Sequence, residues 1–277
     1  MSSKGNIAFR AVSVVILAVM AVFFALPIYM AVVNSFKTQK EIFSSVLAWP
    51  SSFGFDNYIN VFHSIDLLKS LGNSLTVTII GVVGMLLLGA MAGYKLSRTP
   101  GKLSGFIFFL FLSSMMIPFH VIMITLSQVA KSLHLQGSTT GLGIMYVGLS
   151  LNMVIFLYHG FVKGIPKEME EAAKMDGAGE LYTFFRIILP LLKPITVTLA
   201  ILNVLYIWND FLLPLLMLTD VNKYTLILTT NSFFGQYTKD WGSILSSLVM
   251  TAVPVFAFFI AFQKWILQGI ADGALKG

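Results

Sequence analysis

Six stretches of this 277-residue chain are each apolar over about the 20 residues that a helix needs to cross the hydrocarbon core of a bilayer. They run approximately over Ala11–Val33, Ser74–Tyr94, Phe106–Ser127, Gly141–Phe161, Thr196–Leu218 and Ile244–Ile266. In lipid, backbone N–H and C=O groups have no water to turn to, so stretches of this length read as helices that satisfy their own backbone. Composition closes off the soluble alternative. Hydrophobic residues make up 57% and charged ones 11%, too few charges to cover a water-facing surface of this size. Pro27, Pro118, Pro214 and Pro254 fall inside four of the six stretches. Neighbouring helices in a bundle can satisfy the carbonyls that proline frees, so kinks are expected and not breaks. The expected fold is all-α, with six transmembrane helices. No repeat or low-complexity tract divides the chain, so residues 1–277 are read as one membrane domain.

Met1–Arg10 carries two basic residues ahead of an apolar run too long for a cleaved signal, which reads as a retained anchor helix. With the N-terminus inside, twelve of the eighteen Lys and Arg residues fall in inner segments and six in outer ones. That bias favours both termini in the cytosol. The clearest contrast lies between neighbouring connections, KLSRTPGK against SQVAKSLHLQGSTT. The net charge of +6 therefore encodes topology. It does not indicate nucleic acid, whose basic partners cluster on a soluble face. The outer segment 34–72 interleaves Trp49, Phe53, Phe55, Tyr58 and Phe62 with turn formers, and reads as a cap of short helices, one of them capped by Asp56. Cysteine is absent, and His63, His134 and His159 lack metal-ligand spacing. No G-x-x-x-x-G-K-[ST] loop occurs to cradle ATP. No catalytic residue, metal or cofactor is expected in this chain.

One connection, 162–195, does not fit a lipid-embedded chain. Five of the twelve acids (Glu168, Glu170, Glu171, Asp176 and Glu180) fall within it. Pro166 suits the first turn of a helix, the glutamates favour its positive end, and Gly177 can end it in a left-handed conformation. Glu170 and Lys174 are spaced to pair on its surface. A second helix, Glu180 to Leu189, is expected to stop at Pro190 and lead into the fifth span. Met169, Ala172 and Ala173 share one face of the first helix, where small side chains let another surface approach closely. Two readings fit these residues: a solvated charged loop, or a knob held out of the membrane for a partner's socket.

Within the fifth stretch Asn203, Tyr206 and Asp210 fall in one helical arc. Asp210 is the carboxylate set well inside a span, where such groups face a bundle interior or a water-filled cavity. With Asn152 in the fourth stretch, they are candidates for a polar translocation path. The other explanation is a structural hydrogen-bond network between helices. Tyr146 and Ser150 in the fourth stretch are further path candidates, with packing as their other reading. Asp210 and His120 could alternatively serve an ion-gradient-driven carrier.

The residues of the polar connection also carry a resemblance. Glu171-Ala172-Ala173, then Gly177, then Ile187-x-Leu189-Pro190 resembles the signature of the membrane subunits of ATP-binding-cassette importers, and its wider form through Asp176-Gly177-Ala178 is complete. Asn34-Ser-Phe-Lys37, Asn73-Ser74-Leu75, Tyr94-x-Leu96-Ser97-Arg98, Met116-Ile117-Pro118, Trp208-Asn209-Asp210-Phe211 and Gly273-Ala-Leu-Lys276-Gly277 are similar to the carbohydrate-uptake, MalG-like branch. Met169, Met175 and Gly179 depart mildly from the usual pattern.

The resemblance implies a MetI/MalG-like type I importer permease fold in which the 166–178 helix is a coupling helix docked in a cytosolic ATPase. It implies coupling roles for Met169, Glu171, Ala172, Ala173, Asp176, Gly177, Ala178 and Lys276. The implied protein is no enzyme. It is the permease subunit of a binding-protein-dependent sugar importer in a bacterial inner membrane, with an oligosaccharide of the raffinose or melibiose kind as substrate. Its implied partners are a second, homologous permease, two copies of the ATPase that binds ATP and Mg2+, and an external sugar-binding protein.

Overall fold

The computed structural model describes residues 3–234 and 239–274, with side chains described over 9–234 and 239–264. Lys276 lies outside these residues. The helices, in chain order, are α1 (Ser3–Ser35), α2 (Gln39–Ser44), α3 (Asp56–Ser64), α4 (Leu67–Arg98), α5 (Lys102–Ser114), α6 (Phe119–Ser132), α7 (Thr139–Lys163), α8 (Glu168–Met175), α9 (Glu180–Thr183), α10 (Leu189–Leu191), α11 (Lys193–Asn209), α12 (Leu212–Met217), α13 (Leu226–Thr229) and α14 (Trp241–Ala274). Among the described residues four helices are long and apolar enough to cross a membrane unaided: α1 from Phe9, α4, α7, and α14 as far as Lys264. Two bent pairs, α5 with α6 at 109° and Glu180–Leu191 with α11 at 74°, raise the count to six where each pair is taken as one span.

The expectation that proline does not break the helix holds at Pro27 and Pro254, which lie inside α1 and α14. It fails at Pro118. There the chain leaves the helix over Met115–Ile117, and Pro118 caps α6 with extended geometry. Pro118 cannot donate to the Ser114 carbonyl, and its ring disfavours helical geometry at Ile117. The Ile117 N–H takes the Ser114 carbonyl instead, while the hydroxyls of Ser113 and Ser114 bond back to Leu110 and Phe111. The fifth stretch, expected as one helix over Thr196–Leu218, likewise breaks at Asp210, which is extended (φ −75°, ψ 132°). Pro214, in the first turn of α12, has no N–H with which to continue the α11 ladder across Asp210.

The structure divides into two compact units, 1–66 with 230–253, and 67–229 with 254–277. In the first, the Asn34–Lys37 turn is a polar knot. Asn34 Nδ2 donates to the carbonyls of Met30 (2.7 Å) and Val46 (2.8 Å). Lys37, 1% exposed, donates to Asn34 Oδ1 (2.9 Å) and the Ser45 carbonyl (3.0 Å). Asn57 on α3 donates to the carbonyls of Ser35 and Lys37, and the Phe36 ring meets those of Phe53, Phe55 and Tyr58. α2 starts with a capping box between Thr38 and Glu41. Asp56 is the first residue of α3 and makes no side-chain cap, contrary to the expected role.

In the second unit α4 and α7 pack along a glycine-lined seam. A Cβ at Gly93 would lie 2.7 Å from the Tyr158 Cβ and 3.0 Å from the His159 amide nitrogen. One at Gly143 would lie 2.8 Å from the Ile80 Cβ. Backbones approach this closely only where side chains are missing, the usual way membrane helices gain contact in lipid. α11 lies against both helices, and Tyr158 on α7 donates to Thr196 on α11 (2.8 Å). Val77, Met85, Tyr146, Tyr158, Leu199 and Ile207 belong to the buried core these three helices share.

Candidate functional site

Between α7 and α11 stands α8, an eight-residue helix whose first turn carries Glu168, Glu170 and Glu171, placed to favour the positive end of its dipole. It ends as the sequence suggests. Gly177 has φ +80°, the Ala178 N–H reaches the Ala173 carbonyl (2.9 Å), and the Gly177 N–H reaches that of Lys174 (3.0 Å). This six-to-one bond with a left-handed glycine is a Schellman stop. Glu168, Glu171, Ala172, Asp176 and Gly177 are exposed, as are Met169 (40%) and Met175 (88%). Ala173 does not share that exposed face; it is turned inward at 7% exposure, and Ala178 is half-buried.

Glu170 is the larger departure. The expected surface pair with Lys174 is replaced by a buried contact with the end of α4. Arg98 Nε donates to Glu170 Oε1 (2.6 Å), and the Tyr94 hydroxyl donates to Oε2 (2.9 Å). Arg98 Nη2 also donates to the Ile165 carbonyl (2.7 Å), just ahead of α8. Both ion-pair side chains are almost buried, at 11% and 9% exposure. Such a pair holds together only with good geometry and further hydrogen bonds, and both are present here. Sequence reasoning left Glu170 out of the site. The four-residue spacing of Tyr94 and Arg98, both on one face at the end of a span, was the available signal.

Beyond the Gly177–Gly179 turn the expected helix Glu180–Leu189 is not regular. α9 gives way to a π-helical turn over Phe184–Ile188, closed by the Leu189 N–H on the Phe184 carbonyl. Pro190 sits inside the continuation and does not end it; the break comes at Leu192. The wider turn accommodates Pro190, which has no N–H for the Arg186 carbonyl, and Pro194 in the first turn of α11 interrupts the ladder again. Lys95 on α4 pairs with Glu180 (2.5 Å), and the Tyr94 and Phe184 rings lie 5.3 Å apart.

The proposed intramembrane stripe is brought together only in part. Asp210 accepts from the Tyr146 hydroxyl (2.7 Å) and from the Leu212 N–H (2.9 Å), so it bridges α7 and caps the restart of the chain at α12. Tyr206, 48% exposed, meets Tyr146 edge-on at 6.0 Å. Asn203 is buried and bonds the Leu199 carbonyl of its own helix (2.9 Å). Asn152 donates to Ser114 on α5 (3.2 Å), away from Asp210's bonds. His120 lies at the start of α6, edge-on to Phe119, and among the described residues no hydrogen bond joins it to Asp210. An Asp210–His120 relay has no support in this arrangement. Among the described residues no cluster of His, Asp or Glu could hold a metal.

The sequence pattern of the family described as "Binding-protein-dependent transport system inner membrane component" matches residues 85–272. The "Probable starch degradation products transport system permease protein AmyC" of Thermoanaerobacterium thermosulfurigenes is 38% identical over 90% of this chain and 91% of its own length. The "Multiple sugar-binding transport system permease protein MsmG" of Streptococcus mutans is 33% identical over 95% of both chains. The "Melibiose/raffinose/stachyose import permease protein MelC" of Bacillus subtilis is 31% identical over 94% of both. Among solved structures, a bacterial ABC transporter that imports the acidic polysaccharide alginate superposes with a TM-score of 0.82 at 22% identity, over 95% of this chain and 98% of its own.

Proposed function

This chain belongs to the family of binding-protein-dependent transport system inner membrane components, a multi-pass membrane protein of the permease class, and on that premise we propose that it is one half of the translocation path of an ATP-driven oligosaccharide importer. The permeases named above for starch products, for multiple sugars and for melibiose, raffinose and stachyose support the substrate class. The α-galactoside kind remains the specific substrate proposed. In this reading a homologous second permease completes the path, two ATPase subunits bind ATP and Mg2+ on the cytosolic side, and an external binding protein delivers the sugar. Both termini are cytosolic, in keeping with the distribution of Lys and Arg.

The observation that carries the reading is α8. It is a short polar helix with a defined glycine stop, on which Glu171, Ala172, Met175 and Asp176 are exposed while Glu170 and Ala173 anchor it from behind. A helix anchored on one side and bare on the other suits docking into a socket. Glu171 is the proposed polar contact, Met169, Ala172 and Gly177 allow close approach, and Ala173, Asp176 and Ala178 shape the helix and its stop. Lys276 is a proposed further contact. The Tyr146–Asp210–Tyr206 cluster is proposed to border the path, with Asn203 and Asn152 supporting the helices around it. ATP binding by the partner pair then biases the bundle between two states, as any ligand-driven switch requires.

The test is the Glu171→Lys variant in the intact importer. It is expected to insert and assemble normally while oligosaccharide uptake is lost and ATP hydrolysis no longer responds to the binding protein. Uptake equal to that of the unaltered chain would refute the docking role.

A further inference from the structure

Besides the short 164–167 link back to α7, motion of α8 has two routes into the membrane bundle. The covalent route to α11 passes the Gly177–Gly179 turn, the short α9, a π turn and a 74° bend at Leu192. Each joint can absorb displacement. The other route is through side chains into α4. The last turn of α4 grips the polar connection at four successive points, with Arg98 on Ile165, Arg98 and Tyr94 on Glu170, Lys95 on Glu180, and Tyr94 against Phe184. The central contact uses both Glu170 oxygens and is almost withdrawn from water, where charge-assisted bonds are short and resist shear. α4 in turn is locked to α7 along the glycine seam.

We propose that the Arg98–Glu170–Tyr94 contact is the strut that transmits α8 motion into the α4–α7 pair, so that these helices, and not α11, move as one body with α8. The inference rests on the docking reading of α8 and adds where the motion goes. Glu170 and Arg98 are positioning residues. They face into this chain and act through α8 on the partner.

The chain has no cysteine, so paired labels can be introduced without background from this subunit, with the partner chains supplied in cysteine-free form. Met175 on α8 and Val83 on α4, 88% and 58% exposed, are suitable sites. Spin labels at these positions in the intact, affinity-purified importer would be compared without nucleotide and after trapping with ATP and vanadate. In the unaltered strut the α8–α4 distance is expected to stay the same in both states. In Arg98→Ala and in the isosteric Glu170→Gln, trapping should change or broaden it. Uptake per ATP hydrolysed should fall on the order of tenfold while the ATPase still co-purifies. The reciprocal pair Glu170→Arg with Arg98→Glu should recover part of that loss, which a residue needed only for folding would not do. A distance that changes between states in the unaltered chain overturns the strut, even where no variant accumulates. Unchanged uptake per ATP in both single variants overturns it as well. Failure of the ATPase to co-purify with the unaltered chain refutes instead the docking reading, and the strut with it.

Discussion

Replacing Gly93 by alanine tests the α4–α7 seam most directly. The added Cβ would sit 2.7 Å from the Tyr158 Cβ, 3.0 Å from the His159 nitrogen and 3.2 Å from the Ile155 carbonyl oxygen, whereas ordinary contact starts at 3.4 Å. Two of the three obstacles are backbone atoms of α7, so no side chain can rotate away, and the helices must part by several tenths of an ångström. Overpacking of this kind costs about 1–3 kcal/mol. Alanine also favours a helix over glycine by about 0.8–1 kcal/mol, which would mask part of the loss. Gly160, on α7, supplies the control, because a Cβ there meets nothing within 4 Å. Gly160→Ala gains the same propensity without the clash, so the difference between the two variants isolates the steric cost. Unfolding of the detergent-solubilised chain, followed by tryptophan fluorescence, should place Gly93→Ala about 1–3 kcal/mol below Gly160→Ala. Equal stability of the two variants would refute the close approach of these backbones.

Two further outcomes follow from other contacts. Removing the Tyr146 hydroxyl in Tyr146→Phe deletes its 2.7 Å bond to Asp210 and should cost about 0.5–1.5 kcal/mol, as expected for an intramolecular hydrogen bond. Asp210→Ala, which also frees the Leu212 N–H, should cost more in the same unfolding measurement. The Glu41 carboxyl is held at about 2, below its ordinary 4.5, first by the Ser51 hydroxyl and then by the Thr38 N–H and hydroxyl. A lowered carboxylate stabilises the folded form fully above the ordinary value and loses that contribution as pH falls through the lowered one. Hydrogen-exchange protection of the Thr38 and Ser51 amides should therefore be flat above pH 4.5 and decline towards pH 2, and Glu41→Gln should remove that dependence.

The apolar runs and the polar 162–195 connection were legible because they are local. The length of each run, the acids of α8 and the glycine at its end act within a few residues of themselves, and Gly177 takes the left-handed conformation its position calls for. The glycine seam was not anticipated, although Gly89 and Gly93, spaced four apart, carry the small-residue pattern of close helix approach. The breaks at Pro118 and Asp210 could not be read in the same way. Whether a proline kinks or severs a membrane helix depends on which groups take the freed carbonyls, and those groups are set by the assembled chain.

Glu170 shows the same division at a single residue. Its sequence neighbours present it as one more solvated acid beside Lys174. Seventy-odd positions upstream, Tyr94 and Arg98 close over it, and only the folded path of α4 past α8 could disclose that. Chain-local hydrophobicity and turn chemistry determined that this protein is a helical membrane chain with a short polar helix between apolar ones. Tertiary contact decided which face of that helix is free and which is held, because the energy of a buried charge depends on partners distant in sequence.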